Sequence, residues 1–160
     1  FHFSRKFIGA TTNDEFMTMD DWVAASVPGT DSDLLLQMDI EGFEYETFLA
    51  MSDGLLRRFR VMVAEFHCLE ELWNRPFYRL ASRVFEKILQ THICVHIHPN
   101  NCYRVRDREG LSIPVLMEFT FLRKDRIIES SISQSFPHPL DFDNTSNPSV
   151  CLPECWYSKR

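Results

Sequence analysis

Apolar positions along the chain fall into short continuous runs, and these runs predict strands. Residues 34–40 (LLLQMDI), 60–67 (RVMVAEFH) and 93–98 (ICVHIH) are each apolar over most of their length. Such runs are typical of strands in a parallel sheet that is buried on both faces. A fourth run, residues 115–122 (VLMEFTFL), predicts another strand after a charged loop. Residues 1–12 leave room for one further short strand.

Between these runs, apolar residues recur with the spacing of helices. In residues 69–91 apolar side chains recur every three or four positions, which predicts a long helix with Pro76 at an offset start or a kink. Residues 44–51 predict a shorter helix that stops near Gly54. A helix also begins after Thr18, which can cap it.

This alternation of strands and helices predicts an α/β fold with a mostly parallel sheet. The last two strands have no helix between them, so we expect an antiparallel pair at one edge of the sheet. We assign residues 1–129 to this domain. Residues 130–160 are rich in Ser, Pro and Asn, and they predict an irregular or partly disordered tail.

The composition argues against some classes of protein, but it does not indicate a function. The chain has 160 residues, of which 44% are hydrophobic, and a net charge of −6. That acidic balance argues against nucleic acid as a partner. No apolar run reaches the length of about 18 residues that a transmembrane helix needs. The chain begins with Phe1 instead of Met, so we expect it to be processed or to be part of a longer protein.

The five cysteines leave the compartment open. They include no CxxC pair, and most of them lie in or beside predicted strands, where a free thiol acts as a small apolar group. A disulfide between Cys151 and Cys155 would suit only a secreted protein. The cytoplasm is therefore only the default expectation, the secretory pathway stays open because we expect the N-terminus to be missing, and the oligomeric state is equally open.

Polar side chains close three of the predicted strands. Asp39 and Glu41 follow the first, Glu65 and His67 close the second, and His98 closes the third after His96 and before two asparagines. Ligands bind beyond the carboxyl ends of parallel strands. If the three strands are neighbours, these groups share one rim, and burying them without partners would cost several kcal/mol.

Two kinds of chemistry fit such a rim, and simpler roles compete with both. His67, His96 or His98 could act as a general base towards a hydroxyl group. Alternatively, Asp39, Glu65 and His67 could hold a divalent ion, for which oxygen-rich ligands suggest Mg²⁺ or Mn²⁺ and the added imidazole would also admit iron or zinc. The acidic residues could instead cap a helix or pair with an arginine, and a lone histidine in a strand is often structural.

The residues around the first of these strand ends resemble the signature of a known protein family. Residues 18–21 (TMDD), followed by residues 33–46 (DLLLQMDIEGFEYE), resemble the signature of FkbM-type methyltransferases, with Met19 and Gln37 departing from its usual Leu and Lys. Residues 63–67 (VAEFH) resemble that family's next strand, which commonly ends in Glu. The match covers residues 17–67 well and the strand order to residue 125 more loosely.

The resemblance implies a Rossmann-like class I methyltransferase sheet. It implies S-adenosylmethionine as cofactor, held near Asp39, Glu41 and Gly42, and methyl transfer to a hydroxyl of a sugar, glycan or natural product. Asp39, His67 and His98 are the catalytic candidates that this site would contain. The partner is then a small-molecule or glycan acceptor.

One part of the family pattern is missing. The family's first strand carries a pair of glycines that wraps the cofactor, and none of the five glycines in this chain forms that pair. We therefore expect a truncated sequence from a larger enzyme. Two alternatives stay open: a catalytically inactive methyltransferase-like binding domain, and a metal-dependent hydrolase that uses the same rim.

Overall fold

The N-terminal segment forms a short parallel pairing before its first helix. The computed structural model describes residues 3–29, 31–103, 105–132 and 136–157. Strand β1 (Phe7–Ile8) pairs in parallel with β2 (Phe16–Met17). Helix α1 (Met19–Ser26) follows, and the Thr18 hydroxyl accepts a hydrogen bond from the Asp21 amide at its start. The predicted cap is therefore confirmed.

The rest of the chain alternates strands and helices. In order, the elements are β3 (Leu34–Met38), α2 (Glu44–Ala50), α3 (Asp53–Leu56), β4 (Phe59–Phe66), a 3₁₀ turn (Leu69–Trp73), α4 (Arg75–Thr91), β5 (His92–Pro99), β6 (Arg106–Arg108), β7 (Leu111–Ile113) and β8 (Met117–Arg123). Two more 3₁₀ turns lie at Lys124–Arg126 and Glu154–Trp156. The four strands predicted from apolar runs are all present.

The four long strands form one mixed sheet in the order β3-β4-β8-β5. β3 pairs with β4 in parallel, whereas β8 runs antiparallel to both β4 and β5. Strands β3, β4 and β5 therefore point the same way, and the α/β class is confirmed. The last two strands do form an antiparallel pair at one side of the sheet. However, β8 lies between β4 and β5, so the three strands with polar ends are not all neighbours.

An aromatic core fills one face of this sheet. Phe66 is fully buried at its centre, and its ring lies 4.9 to 5.7 Å from the rings of Tyr45, Phe48, Phe85 and Phe119. These rings come from α2, β4, α4 and β8, so a single cluster joins four elements. Aromatic pairs at such distances add to the stabilisation that burial alone provides.

Helix α4 spans 17 residues and buries Ala81, Val84 and Ile88. The Lys87 ammonium on the same helix donates hydrogen bonds to the carbonyl oxygens of Leu49 and Met51, at the end of α2. A cation at a helix carboxyl end satisfies free carbonyl groups there. None of the helices in the described ranges combines the length and apolarity needed to cross a bilayer.

Three local predictions need correction. Gly54 does not end a helix but lies inside α3, because the Ser52 hydroxyl accepts a hydrogen bond from the Leu55 amide and starts a new turn. The long helix begins at Arg75, not at residue 69, because Pro76 suits a first helical turn. The charged loop contains the β6–β7 hairpin, whose turn residues Glu109 and Gly110 both have positive φ.

The segment after residue 129 lies against the sheet. Leu152 is buried in the core, and Phe136, Trp156 and Tyr157 pack beside it. Asn101, which is 2% exposed, hydrogen-bonds to Thr145 and Asn147 of this segment. Within the described part of residues 130–157, one 3₁₀ turn is the regular structure. The cysteines at 151 and 155 are free thiols.

Candidate functional site

The chain makes a tight turn between β3 and α2, and this turn presents two acidic side chains. Glu41 has φ +56° and Gly42 has φ +105°. A residue with a β-carbon is strained at the second of these angles, so the turn requires Gly42. The Asp39 side chain is 45% exposed and that of Glu41 is 84% exposed. A left-handed residue other than glycine is a strained position of the kind that functional sites often contain.

Glu44, in the first turn of α2, holds this turn closed. Its side chain is fully buried. The Oε1 atom accepts hydrogen bonds from the backbone amides of Ile40 and Gly42, at 3.3 and 3.1 Å, and lies 3.1 Å from Nδ1 of His67. Its Oε2 atom is buried without a hydrogen-bond partner among the described residues. One carboxylate thus fixes both the turn and the imidazole.

The other ring nitrogen of His67 faces a group of carboxylates. Nε2 lies 3.4 Å from Oε2 of Glu41, 3.8 Å from Oε2 of Glu65 and 3.9 Å from Oδ1 of Asp39. When the neutral ring donates its Nδ1–H to Glu44, its Nε2 carries the free electron pair. We call Asp39, Glu41, Glu44, Glu65 and His67 the carboxylate–His67 cluster. The structure therefore brings together most of the site residues that the sequence predicted.

Hydrogen bonds from neighbouring side chains hold the cluster in place. The Asn100 side-chain amide donates to Oε1 of Glu65 at 2.8 Å, and the Tyr45 hydroxyl donates to the carbonyl oxygen of His67 at 2.7 Å. Burial, reinforced by the charge of Glu44, raises the pKa of Tyr45, so its phenol stays protonated as a donor. Burial and the nearby Glu70 raise the pKa of Cys68. That thiol stays protonated and is unsuited to be a nucleophile.

His96 and His98 belong to a different group of side chains. Nε2 of His96 lies 2.9 Å from Oδ1 of Asp141, and Nδ1 of His98 lies 3.6 Å from Oδ2 of the same residue. Nε2 of His98 lies 3.1 Å from the carbonyl oxygen of Phe142. These histidines thus hold the C-terminal segment on the sheet.

The structure does not bring His98 to His67, and the reason is the position of β8. Glu65 on β4 faces Glu118 on β8, and Glu118 in turn faces His98 on β5. Two strand spacings of about 4.8 Å each therefore separate the polar end of β4 from that of β5. The sequence predicted one continuous rim at three strand ends, whereas the structure divides it into two clusters.

A hollow of about 390 Å³ opens beside Asp39. Its wall is mixed: the Trp22 indole, Met19 and Met38 line it together with Gln37 and Asp39, and polar and apolar atoms contribute about equally. Small-molecule sites combine apolar walls with a few polar groups. Asp39 belongs both to the wall of this hollow and to the carboxylate–His67 cluster.

Two residues that the structure makes important were not predicted from the sequence. Glu44 was included only as one residue of the family-like run 33–46, although its position carries a signal. It lies four residues before Phe48 and seven before Met51, so it shares the buried face of α2. A charged residue on an apolar helix face indicates a buried polar contact. Asp141, in a segment without periodicity, carries no comparable signal.

Comparison with known proteins adds no family assignment. No family model matches the chain, and neither curated proteins nor solved structures give a significant match to it. The FkbM resemblance, the cofactor and the methyl transfer therefore remain predictions that rest on the residues themselves. The structure establishes an α/β domain with a mixed sheet and a carboxylate–imidazole cluster at the ends of two parallel strands.

Proposed function

We propose that the chain supplies the acceptor side of an S-adenosylmethionine-dependent methyltransferase that acts on a hydroxyl of a sugar, glycan or natural product. The observation that carries this proposal is the position of His67, whose ring lies within 4 Å of four carboxylates at the carboxyl ends of β3 and β4. Open α/β sheets bind their ligands at this edge. On this proposal the four-stranded sheet is part of a Rossmann-like methyltransferase sheet.

The residues around Asp39 fit one side of the cofactor. The half-exposed Asp39 carboxylate could pair with the ammonium group of the methionine part, and Glu41 and Gly42 would border it. The hollow beside Asp39, which is lined by the Trp22 indole as well as by polar groups, suits an aromatic group that also carries hydrogen-bonding atoms. When bound, S-adenosylmethionine supplies a methyl group on a positively charged sulfur atom.

The chain's own residues would bind and activate the acceptor. A hydroxyl oxygen is a weak nucleophile, and it becomes a strong one as its proton leaves. The carboxylate–His67 cluster supplies basic atoms at one point, and Glu44 and Asn100 hold two of its side chains in place. Binding the acceptor against this cluster would orient the oxygen and provide a destination for its proton.

Replacing Asp39 by Asn tests the proposal. The substitution keeps the size of the side chain and removes its charge, so we expect methyl transfer to fall by about 100-fold. The melting temperature should barely move, because the side chain is 45% exposed. The measurement is transfer of a labelled methyl group to a panel of glycan and natural-product hydroxyls, by protein that includes any upstream coding sequence.

Asp14→Asn is the matched control, because Asp14 lies in the exposed loop before β2. It should leave turnover unchanged. Equal turnover in Asp39→Asn and the unmodified protein would reduce Asp39 to a structural role. Protein that neither binds S-adenosylmethionine nor transfers its methyl group would overturn the proposed function and favour an inactive binding domain. Hydrolysis without that cofactor would favour a metal-dependent hydrolase.

A further inference from the structure

The Nε2 atom of His67 and the carboxylate oxygens around it lie close to the spacing of the ligands of a single metal ion, with two of the three oxygens a few tenths of an ångström too far from Nε2. Two atoms that each lie about 2.1 Å from one ion are about 3.0 to 3.5 Å apart, depending on the angle between them. Nε2 lies 3.4, 3.8 and 3.9 Å from its three carboxylate oxygens. One ligand atom each from Asp39, Glu65 and His67 lie within 4.8 Å of one another. Small side-chain movements would bring these atoms to the distances at which they could bind one ion.

The charge of the cluster is not balanced by lysine or arginine. Within the described part of the chain, the basic side chain within 4 Å of Asp39, Glu41, Glu44 and Glu65 is in each case His67. One imidazole therefore faces four carboxylates. Carboxylates so close together repel one another, and a bound cation would relieve that repulsion.

Glu44 provides a second and independent indication of a ligand. It is fully buried, its Oε1 atom accepts from Nδ1 of His67, and its Oε2 atom has no hydrogen-bond partner among the described residues. A carboxylate that binds one ring nitrogen fixes the tautomer and directs the other nitrogen towards a metal. Burying a carboxylate is energetically costly. Here the buried Glu44 carboxylate orients Nε2 of His67 towards Asp39 and Glu65.

We propose that this chain binds one divalent cation through Oδ1 of Asp39, Oε2 of Glu65 and Nε2 of His67. The exposed Glu41 carboxylate would be a fourth ligand at the solvent side, and Glu44 would be a positioning residue for His67. Carboxylate oxygens with one imidazole suit Mn²⁺, whereas Mg²⁺ favours oxygen ligands and water. The use of the ion to acidify an acceptor hydroxyl rests on the proposed function, but the binding of the ion does not.

Titration of the full chain with Mn²⁺ tests this inference directly. Free Mn²⁺ is followed by its electron paramagnetic resonance signal at 0.15 M salt, where loose surface binding is screened. We expect one ion per chain. His67→Gln, Asp39→Asn and Glu65→Gln should each weaken binding at least tenfold, and Glu44→Gln should weaken it by about 10- to 100-fold. Equimolar Mg²⁺ should displace little of the bound Mn²⁺.

Two matched variants serve as controls. Glu46→Gln changes an exposed acid on the same helix as Glu44, and His98→Gln changes a histidine of the other cluster. Both should bind Mn²⁺ as the unmodified chain does. Circular dichroism of Asp39→Asn, whose side chain is half-exposed, tests whether this variant is folded, and a folded variant that loses binding has lost it at the site and not through unfolding.

Two results would overturn the metal site: no bound ion, or an affinity for Mn²⁺ in the His67→Gln and Asp39→Asn variants equal to that of the unmodified chain. Displacement of most of the bound Mn²⁺ by equimolar Mg²⁺ would overturn the preference for Mn²⁺. Each outcome is independent of methyl transfer. A chain that binds Mn²⁺ but not S-adenosylmethionine would keep this site and refute the proposed function. A chain that transfers methyl groups without binding Mn²⁺ would support the proposed function and refute the metal site.

Discussion

Glu44 is the residue on which the arrangement of the candidate site depends most. It accepts hydrogen bonds from two backbone amides of the β3–α2 turn and contacts Nδ1 of His67, all through Oε1. The turn itself contains two residues with positive φ, Glu41 and Gly42, and needs such a fixing contact. Both the exposure of Asp39 and the direction of His67 therefore depend on one buried carboxylate.

Removing this carboxylate should be costly for stability. In Glu44→Ala the amides of Ile40 and Gly42 and the ring of His67 lose their shared acceptor, so we expect unfolding to require about 3 kcal/mol less. The measurement is urea unfolding followed by circular dichroism. Glu46→Ala, on the exposed side of the same helix, should change stability by less than about 0.5 kcal/mol. Equal effects of the two variants would contradict the role of Glu44.

Among the elements, the junction of α4 and β5 contains a second buried polar residue, His92. It is fully buried, with Nε2 lying 2.8 Å from the carbonyl oxygen of Phe59 and Nδ1 lying 2.8 Å from the Thr91 hydroxyl. The contact joins the start of β5 to the start of β4, although β8 lies between these strands. Burial lowers the pKa of His92, and its hydrogen bond to Phe59 only partly opposes that shift.

The lowered pKa makes the stability of this junction depend on pH. Because the unfolded chain titrates its histidines near pH 6.5, it binds a proton at His92 more readily than the folded chain does. The contribution of His92 to stability is therefore complete above about pH 6.5 and declines as the pH falls through that value. We expect the free energy of unfolding to drop more steeply between pH 7.5 and pH 5.5 in the unmodified chain than in His92→Gln.

Urea unfolding at several pH values measures this difference. The other histidines are present in both proteins, so their titration largely cancels in the comparison. Parallel pH dependences in the two proteins would show that His92 does not titrate differently in the folded state.

On the scale of the whole molecule, one aromatic cluster joins the helices to the sheet. Phe66 is fully buried and contacts rings from α2, α4 and β8. His67 directly follows β4, so the core and the candidate site meet at the end of this strand. The packing of Phe66 therefore fixes the height of His67 above the carboxyl end of the sheet.

Truncating Phe66 should destabilise the whole domain. Phe66→Ala leaves a cavity at the meeting point of four elements, and we expect a loss of about 4 kcal/mol. Phe142→Ala provides the control, because Phe142 is 83% exposed and should change stability little. Thermal unfolding measures both. A small loss in Phe66→Ala, similar to that of the control, would mean that this cluster is not the centre of the core.

The sequence by itself determined the four long strands and the polar residues at their ends. The apolar runs located these strands, because a buried strand needs apolar side chains on both faces. The strand-end rule selected Asp39, Glu41, Glu65 and His67, and the family-like signature includes the first two of these residues. The ends of β3 and β4 do meet as predicted, because these two strands are adjacent and parallel.

Only the tertiary structure decided which of these ends meet. Strand β8 is inserted between β4 and β5, which moves His96 and His98 away from His67 and towards Asp141. Strand order depends on long-range pairing that leaves no trace in local periodicity. The contact of Glu44 with His67 joins residues 23 positions apart for the same reason. The sequence therefore named the chemical groups, while the packing of the sheet selected which of them form one site.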